Sequence, residues 1–514
     1  MPPPVRRFAF GEPCRNPMPI GELLSHQARR DPGAPALTFE GRTWTRVALE
    51  EAANRRARAL QAVGVQADDL VGIALSNGPE FHETAFAVWK LGATPAPLSH
   101  RLPALELDAI LQQLQPRLVI TTDPGGVRGR PAMTPTEILG EDLSPAPLPP
   151  LAPRYLKATT SGGSTGRPKV IVDHAPGVLD PDVIGLGMEI DDTILIPGPL
   201  YHTGPFGISH RALCRGAHVI EMGRFDAAAV LALISERKVR WTMMAPTMMR
   251  RIWALPAAQR NAADLSSLEM LVHMAAPCPP WLKRAFIDWL GADRIWEVYA
   301  GSERLGAACI GGRDWLAHPG SVGRPDPLST RIVNDAGLDC PPGQVGEIRF
   351  RARSAAGTYH YLGAPPAGEG EWQTYGDLGH FDGDGYLYID DRRTDMIVSG
   401  GANVYPAEVE AALEGHPAVA AAVVVGLPDD DLGQRLHAVI EAASRRRRPG
   451  AAALEVHLAR HLARYKIPYT YEWVEGPLRD DAGKVRRSAW REACLEHLAR
   501  GARLRPFRAH AAPR

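Results

Sequence analysis

The stretch Thr159–Val170 reads TTSGGSTGRPKV and holds three glycines, five hydroxyl side chains and one lysine before the first apolar residue. Glycine lacks Cβ, so the backbone can approach a ligand closely and successive N–H groups can point the same way. The hydroxyls add donors for anionic oxygens, and Lys169 adds a positive charge. The pattern favours a loop between two strands that binds a polyphosphate.

Two other interpretations of this loop come from different protein classes. A P-loop is excluded because Gly166 is followed by Arg167 and Pro168, and the GxGxxG spacing is also missing. The serine-rich loop of amidase-type hydrolases carries a nucleophile, but it needs an upstream lysine and a second serine that nothing before Thr159 clearly supplies. A flexible surface linker is the simplest alternative.

On both sides of this loop the pattern is that of β/α units. Helical patterns such as IGELLSHQARR and AAAVLALISERK alternate with short apolar runs such as LVGIAL, AHVIEM and RIWEVYA. A Pro-rich segment, LSPAPLPPLAP, precedes the loop and predicts an extended connector. We therefore expect a parallel sheet flanked by helices, with the unit used twice.

From about Ser321 the pattern changes to short strands separated by Gly, Asp and Pro turns, which predicts an antiparallel sheet or small barrel. After Asp391 a strand (AVAAAVVVG) and a helix (LEVHLARHLARY) indicate a small α+β domain. We expect an α/β fold with two domains, 1–391 and 392–514.

Length and composition set further bounds. The 514 residues exceed one ordinary core, and 58 basic residues balance 58 acidic ones, which argues against a dedicated nucleic-acid binder. No run reaches the roughly 18 apolar residues of a membrane span, and no signal-peptide pattern opens the chain. The six scattered cysteines indicate reduced thiols, so a cytoplasmic location is expected.

Further motifs follow the loop in order: PLYHTG (199–204), MAAP (274–277), YAGSE (299–303), GD (376–377), DRRTDMIVSGGANVYPAEVE (from Asp391) and GKVRR (483–487). Together they resemble the acyl-adenylate-forming (ANL) superfamily, which includes acyl-CoA synthetases, peptide-synthetase adenylation domains and beetle luciferase. The resemblance covers nearly the whole chain. It implies a large N-terminal domain of two β/α subdomains plus a β-barrel-like subdomain, and a small mobile C-terminal domain.

The resemblance also implies an ATP site. The loop would hold the β- and γ-phosphates, Tyr299 would lie against the adenine, Asp377 would accept the ribose hydroxyls, and Arg392 would steady the nucleotide. Ser302 stands where relatives usually have Thr. The residues implied at this site are Thr160, Ser161, Gly162, Gly163, Ser164, Thr165, Gly166, Lys169, Ala275, Ala276, Pro277, Tyr299, Ser302, Asp377 and Arg392.

The catalytic groups implied by the resemblance are Lys484, Glu303 and His202. Lys484 would bridge the substrate carboxylate and the α-phosphate, where charge builds up. Glu303 would bind Mg²⁺, a hard cation suited to oxygen ligands. His202 would lie beside the acyl pocket and gate the thioester step.

The remaining implied positions concern the acyl group, the thiol and the hinge. His202, Phe206, Met274 and Gly301 would line the acyl pocket, and Gly400 and Gly401 would leave room for the pantetheine arm of CoA. Thr394 occupies the hinge position, where relatives usually have Asp or Lys, for rotation of the C-terminal domain.

One departure favours a second hypothesis. Asp480 and Asp481 replace a Thr-containing turn before Lys484, and two carboxylates near a triphosphate are mildly repulsive. Adenylation could then be lost while thioester formation from a supplied acyl-AMP survives. A third hypothesis is a non-catalytic nucleotide-binding relative, against which Lys484, Glu303 and Asp377 together argue. A fourth is a luciferase-like oxygenase.

The expected function is an ATP- and Mg²⁺-dependent acyl-CoA synthetase. SNGPEFHETAFAVWKLGATPAPLSHRLPALEL resembles bacterial ligases for bulky polycyclic acids such as bile-acid, steroid and diterpenoid carboxylates, and natural-product enzymes of actinobacteria. No carrier segment with a phosphopantetheine serine follows Lys484, so CoA or a separate carrier is the expected acceptor. A homodimer is the family-typical expectation.

Overall fold

A computed structural model describes most of the chain. The described residues are 15–160, 169–183, 185–352, 357–363, 368–369, 371–392, 395–399, 402–429, 432–444, 448–480, 483–500 and 505–506.

The first part of the chain alternates strands and helices, as the pattern predicts. Helix α1 covers the predicted segment IGELLSHQARR from end to end, and α2 begins where the Thr45 side chain accepts a hydrogen bond from the Ala48 N–H. The elements are β1 (Met18–Pro19), α1 (Ile20–Arg30), β2 (Pro35–Phe39), β3 (Arg42–Thr45), α2 (Arg46–Ala62), β4 (Leu70–Ala74), α3 (Pro79–Lys90), β5 (Thr94–Pro97), α4 (Ala104–Leu114), β6 (Leu118–Thr121), β7 (Ala132–Met133) and β8 (Lys157–Thr160).

The second part repeats the β/α alternation after the Pro-rich connector, which forms no helix or strand. Asp226 caps α6 by accepting a hydrogen bond from the Ala229 N–H. The elements are β9 (Val170–Asp173), β10 (Val178–Leu179), β11 (Thr193–Ile196), α5 (Thr203–Cys214), β12 (His218–Glu221), α6 (Ala227–Arg237), β13 (Trp241–Met244), α7 (Pro246–Trp253), α8 (Ala257–Ala262), β14 (Met270–His273), α9 (Pro280–Leu290), β15 (Ile295–Ala300), β16 (Ala307–Gly311) and α10 (Gly312–Ala317).

The largest sheet has eight strands in the order β16-β15-β14-β13-β11-β12-β2-β3, and its central strands are parallel. Successive side chains of β11 point to opposite faces, so Ile194 and Ile196 pack in one core and Leu195 packs in the other. The sheet is therefore covered by apolar side chains on both faces, as expected for parallel strands. A second parallel sheet has the order β5-β4-β6-β7.

From Ser321 to Arg392 the strands are short and antiparallel, which confirms the predicted change of character. They form a seven-stranded sheet in the order β17-β24-β23-β19-β22-β21, with β18 paired to β19, while β20 joins β9 and β8. The strands are β17 (Ser321–Gly323), β18 (Thr330–Val333), β19 (Gly346–Arg351), β20 (Tyr359–Leu362), β21 (Gly368–Glu369), β22 (Trp372–Gln373), β23 (Asp377–Phe381) and β24 (Leu387–Arg392). Arg392, the first residue of the predicted second domain, is the last residue of β24.

The C-terminal part forms a small α+β unit around a four-stranded mixed sheet, β27-β28-β29-β30. The helix predicted over 454–465 ends at Leu458. The chain then turns, and Leu462 packs in the same core as Leu454 and Leu458. The elements are β25 (Ile397–Ser399), β26 (Ala402–Val404), α11 (Pro406–Glu414), β27 (Val419–Asp429), β28 (Gly433–Ala442), α12 (Ala451–Leu458), β29 (Thr470–Val474), α13 (Arg487–Ala499) and β30 (Arg505–Pro506).

The described cysteines and helices bear on two further features of the sequence. Among the described residues all five cysteines are free, and burial raises the pKa of the Cys214 thiol to about 12. Cys14 lies outside the described residues. None of the described helices combines the length and apolarity that crossing a bilayer requires.

Two buried histidines predict that the folded state loses stability in acid. Burial lowers the pKa of His210 and His273 well below the ordinary value, with the Lys283 charge adding to the effect at His273. Below about pH 6.5 the unfolded chain takes up a proton at each site and the folded chain does not, so stability is lost as the pH falls. Each site contributes up to about 1.4 kcal/mol per pH unit.

Between pH 6.5 and 5 we expect the free energy of unfolding to fall by up to ~1.4 kcal/mol per site and pH unit. The melting temperature should fall with it. His273→Met should lower proton uptake on unfolding by about one proton. His497→Gln removes an exposed imidazole and serves as the control. An uptake unchanged by His273→Met would contradict this explanation.

Candidate active site

The parallel strands β11, β13, β14 and β15 end at the same edge of the large sheet. Ligands of open α/β sheets bind in the crevice outside the carboxyl ends of the strands. Three predicted segments follow these ends directly: the loop before α5, residues 274–277 after β14, and residues 301–304 after β15. The edge therefore gathers motifs that are far apart in the sequence.

Tyr299 and Asp377 join this edge to the antiparallel sheet. The Tyr299 hydroxyl donates a hydrogen bond to Oδ2 of Asp377 over 2.6 Å. Asp377 begins β23, and only 6% of it is exposed. The two residues predicted for adenine and ribose therefore lie in direct contact.

Glu303 is held from two sides. The Tyr361 hydroxyl donates to its Oε1 over 2.8 Å, and the Thr358 hydroxyl donates to its backbone carbonyl over 2.7 Å. Burial and the Glu303 charge raise the pKa of Tyr361, so this phenol remains a donor. Lys169 Nζ lies 5.0 Å from the centre of the same Tyr361 ring. Two predicted phosphate-site residues thus share one aromatic neighbour.

The glycine-rich loop connects two paired strands. Thr160 at the end of β8 lies opposite Val170 at the start of β9, so residues 161–169 link adjacent strands, as the sequence predicts. The part of the predicted site that lies outside the described residues consists of Ser161, Gly162, Gly163, Ser164, Thr165, Gly166, Thr394, Gly400, Gly401 and the side chain of Arg392.

The predicted adenine segment has an unusual backbone. Ala275 has φ 79°, in the left-handed region, whereas neighbouring Ala276 and Pro277 do not. A non-glycine residue in this conformation costs about 1–2 kcal/mol. Such outliers collect at functional sites.

Ala275→Gly should therefore raise the free energy of unfolding by about 0.5 kcal/mol, the relieved strain less the extra freedom that glycine gives the unfolded chain. Ala276→Gly is the matched control and should lower it by about 0.5–1 kcal/mol. Urea unfolding of both variants measures the difference. Equal losses in the two variants would refute the strain at Ala275.

His202 lies at the start of α5 and is kept neutral. Burial, with the charge of Lys484 as a second cause, lowers its pKa to about 3. Its Nε2 is buried and has no hydrogen-bond partner within the described part of the chain. One residue further on, the Thr203 and Ser302 hydroxyls are 2.9 Å apart. His202 thus offers a neutral, unpaired nitrogen close to the strand ends.

Lys484 reaches this crevice from the C-terminal part of the chain. Its backbone N–H donates to Oδ1 of Asp480 over 2.8 Å, and its carbonyl accepts from the Asp480 N–H over 2.9 Å. Gly483 has φ 79°, and a Cβ there would lie 2.7 Å from Oγ1 of Thr247. Asp480 therefore helps to form the turn that presents Lys484. Asp481 lies outside the described residues.

Further contacts hold the C-terminal part against the N-terminal part. Arg250 on α7 donates to the carbonyls of Glu414 and Ala420, and pairs with the Glu414 carboxylate at 3.1 Å. Arg486 forms a two-pronged ion pair with Glu106 on α4, at 2.9 and 3.0 Å. These contacts join the two parts in the arrangement in which the charge of Lys484 lowers the pKa of His202.

A cavity of about 200 Å³ lies beneath the strand ends. Phe206 and Met274 line it as predicted, whereas a Cβ on Gly301 would lie 2.2 Å from the ring of Tyr375, and neighbouring Ala300 lines the cavity instead. Most of the wall is apolar. The wall also contains residues that the sequence analysis did not identify: Lys157, His210, Arg211 and Arg304.

A buried polar chain supports one side of the cavity. His210 Nδ1 lies 2.7 Å from the Phe206 carbonyl, its Nε2 lies 3.1 Å from His82 Nδ1, and His82 Nε2 lies 2.8 Å from Glu221 Oε1. If the His210 Nδ1–H donates to the Phe206 carbonyl, the His82 Nδ1–H donates to Nε2 of His210. The three side chains form one hydrogen-bonded chain across α3, α5 and β12, in which Oε2 of Glu221 is buried without a partner among the described residues.

The arrangement is that of an adenylate-forming enzyme. The sequence matches the AMP-binding enzyme family over residues 24–360 and the C-terminal domain of the same enzymes over residues 408–484. The chain belongs to the AMP-binding enzyme family and is an acid–thiol ligase of its acyl-CoA synthetase branch.

Characterised relatives match over almost their full length. A fatty acid–[acyl-carrier-protein] ligase, ScoC, from Streptomyces coeruleorubidus is 31% identical, with 92% of this chain and 95% of that protein covered. A feruloyl-CoA synthase from an Amycolatopsis species is 32% identical, with 91% and 97% covered. An indoleacetate–CoA ligase from Aromatoleum aromaticum is 31% identical, with 92% and 98% covered.

The solved structures agree with the predicted fold class. The o-succinylbenzoate coenzyme A synthetase of Bacillus subtilis in complex with AMP superimposes with a TM-score of 0.80 at 25% identity, covering 92% of this chain and 98% of that one. The fold class predicted from the sequence is confirmed.

Proposed function

We propose that this enzyme converts a carboxylic acid to its CoA thioester through an acyl-AMP. In the first step a carboxylate oxygen attacks the α-phosphorus of ATP, and pyrophosphate leaves. In the second step the CoA thiol attacks the acyl carbonyl, loses its proton, and AMP leaves. The observation that supports the proposal is the effect of the Lys484 charge on His202 at the strand ends, with the Lys484 backbone held by Asp480.

The residues of the crevice suit the first step. Lys484 supplies a positive charge where the carboxylate and the α-phosphate meet, which is the largest kind of catalytic contribution available to such a site. Asp377 would accept the ribose hydroxyls and Tyr299 would lie against the base. Lys169 and the hydroxyls of the preceding loop would bind the outer phosphates. Ser302 offers a hydroxyl where relatives have a threonine.

Glu303 suits a magnesium ion. The Tyr361 hydroxyl fixes its Oε1, while its Oε2 has no hydrogen bond within the described residues. A single carboxylate oxygen directed toward phosphate oxygens is a typical magnesium ligand in proteins. When bound, the ion would neutralise phosphate charge. Glu303 itself supplies the anchor, and Tyr361 keeps its carboxylate in place.

The second step requires room for the thiol, and the neutral side chain of His202 can provide it by moving. With a pKa of about 3, this imidazole carries no charge at neutral pH, so it can move aside without breaking an ion pair. Gly400 and Gly401 remain the predicted entry for the pantetheine arm. The 1–391 and 392–514 domains would rotate about Thr394 between the steps.

CoA is the proposed acceptor, and a carrier protein is the alternative because ScoC is named for one. The names of the relatives given above refer to ferulic, indoleacetic and fatty acids, so a bulky polycyclic acid stays a prediction from the sequence alone. A cytoplasmic location and a homodimer also remain predictions, and ultracentrifugation tests the latter.

Two parallel reactions test the proposal. Purified enzyme receives acid, ATP, Mg²⁺ and CoA in one, and synthetic acyl-AMP with CoA in the other, and acyl-CoA is measured by mass spectrometry. Product in both supports the full two-step ligase. Product only from acyl-AMP supports the thioesterifying alternative, and product in neither across a broad acid panel refutes both.

A further inference from the structure

One face of α5 lines the cavity from end to end. Thr203, Gly204, Gly207, Ile208 and Arg211 all contribute to the wall, at the three- and four-residue spacing of a helix face. Thr203 lies at the reacting end, because its hydroxyl contacts Ser302 after β15. Arg211 follows eight residues later, about 12 Å along the helix axis. It therefore lies at the end of the cavity opposite the reacting end.

The strands β8 and β9 also place a cation at the end of the cavity that is remote from the glycine-rich loop. The glycine-rich loop leaves them at Thr160 and Val170, whereas Lys157 and Asp173 pair at their other ends. Three residues of strand span about 10 Å. Lys157 lines the cavity at this remote position, so its positive charge lies away from the phosphate loop.

The positive charges at this end exceed the negative ones. Lys157 Nζ and Arg304 share the two oxygens of Asp173, at 2.6 and 3.0 Å. Burial alone would raise the pKa of Asp173, but these two cations outweigh it and lower the pKa to about 2. Asp173 is thus a permanent anion that is already occupied by two partners.

Arg211, the third cation, is half-buried in the wall of the cavity. Across the residues that the structure describes, its guanidinium makes no hydrogen bond and no ion pair. Burial, reinforced by the charges of Arg304 and Arg215, lowers its pKa to about 10, which still leaves it charged at neutral pH. The other polar group nearby, His210, is neutral because burial lowers its pKa, so it offers no counter-charge.

A half-buried cation without a hydrogen-bonded counter-charge is costly, and ligand sites are where such groups occur. A guanidinium binds a carboxylate through two parallel hydrogen bonds, a geometry that no neutral group matches. Between Arg211 and the reacting end the wall is apolar, with Phe206, Met274 and Val298 among its residues. The complementary ligand has an apolar body with a carboxylate at each end.

We propose that the acid substrate carries a second carboxylate, which Arg211 binds at the far end of the cavity while the first is activated near Lys484. This substrate class rests on the proposed ligase function. Lys157 and Arg304, together with Asp173, keep the surroundings of Arg211 net positive. The second carboxylate supplies a hydrogen-bonded anion, which Arg211 lacks among the described residues; Asp173 acts on it only at longer range.

The test compares diacids with their half methyl esters. A series of straight-chain α,ω-dicarboxylic acids and aromatic dicarboxylic acids is assayed for acid-dependent ATP–pyrophosphate exchange, each beside its half ester and the monoacid of equal length. We expect one or more diacids to exceed their half esters in kcat/KM by ~10²-fold or more, because a site built for a charged group rejects an analogue without it.

Variants assign the effect to Arg211. Arg211→Met should remove the preference, with kcat/KM for the diacid falling ~10²-fold and that for the half ester unchanged or higher. Arg237→Gln changes an exposed arginine on α6 and should leave the preference intact. Without any substrate, Arg211→Met should raise the melting temperature, since it removes a half-buried charge that has no hydrogen-bond partner among the described residues.

The outcomes separate the two proposals. If monoacids and half esters are activated as well as diacids, and Arg211→Met changes neither their kcat/KM nor the melting temperature, the diacid inference is wrong while the ligase function stands. A neutral hydroxy or keto acid preferred over every diacid would also overturn it. If no acid supports exchange but acyl-AMP is thioesterified, the adenylating function itself fails.

Discussion

Lys484→Ala is expected to lower ATP-dependent adenylate formation by ~10²–10³-fold and to leave thioester formation from synthetic acyl-AMP nearly unchanged. The reason is that the Lys484 charge is needed only where the carboxylate meets the α-phosphate. In the thioester step the bond between the carboxylate oxygen and the α-phosphorus already exists. Acyl-CoA measured from the two starting mixtures gives the ratio of the steps directly.

Two further variants distinguish charge from structure. Lys466→Ala removes the other lysine of the C-terminal part, which pairs with Glu408 on the surface, and should change neither step. Lys484→Arg keeps the charge but alters its shape and should retain part of the adenylation rate. Equal losses in both steps with Lys484→Ala would mean that the lysine acts on folding or domain position instead of on the first step.

The second large effect is expected from Gly483→Ala, which adds one methyl group beside Lys484. The residue has φ 79°, which costs alanine about 1–2 kcal/mol. The new Cβ would also approach Oγ1 of Thr247 to 2.7 Å. The Thr247 contact joins the C-terminal part to α7 in the position that adenylation uses, so adenylation should fall ~10-fold or more. Thioester formation from acyl-AMP should persist.

The steric part can be separated from the backbone part. Thr247→Ala combined with Gly483→Ala should recover the steric share of the loss but not the share due to φ, as a double-mutant cycle shows. Gly476→Ala is the control, because a Cβ there meets no atom within 4 Å. A Gly483→Ala enzyme with normal adenylation would show that the 480–484 turn adopts another conformation during catalysis.

Much of the fold follows from local sequence pattern. The strands β11 to β15 and helix α1 lie where apolar periodicity predicts them, because burial on both faces of a parallel sheet leaves a clear signal. The helix predicted over 454–465 is shorter than expected. Its apolar spacing continues through Leu462 although the backbone leaves the helix after Leu458, so periodicity alone overestimates its length.

The site was predictable only where it consists of short motifs. The Tyr299–Asp377 contact joins two of them, but nothing in the sequence shows that the Tyr361 hydroxyl fixes Glu303. Asp480, interpreted from the sequence as a repulsive charge, accepts a hydrogen bond in the turn that carries Lys484. Arg211 was missed because the direction of α5 relative to the cavity depends on tertiary packing.

The position of the arginine along helix α5 would set the length of the acid that fits the cavity. Gly207 lies one turn closer to the reacting end than Arg211, and a Cβ at Gly207 would meet no atom within 4 Å. Exchanging the two residues would move the guanidinium by about 6 Å along the axis. For the proposed diacid substrate, relatives differing only in which turn of this helix bears the arginine would therefore select acids of stepwise different length.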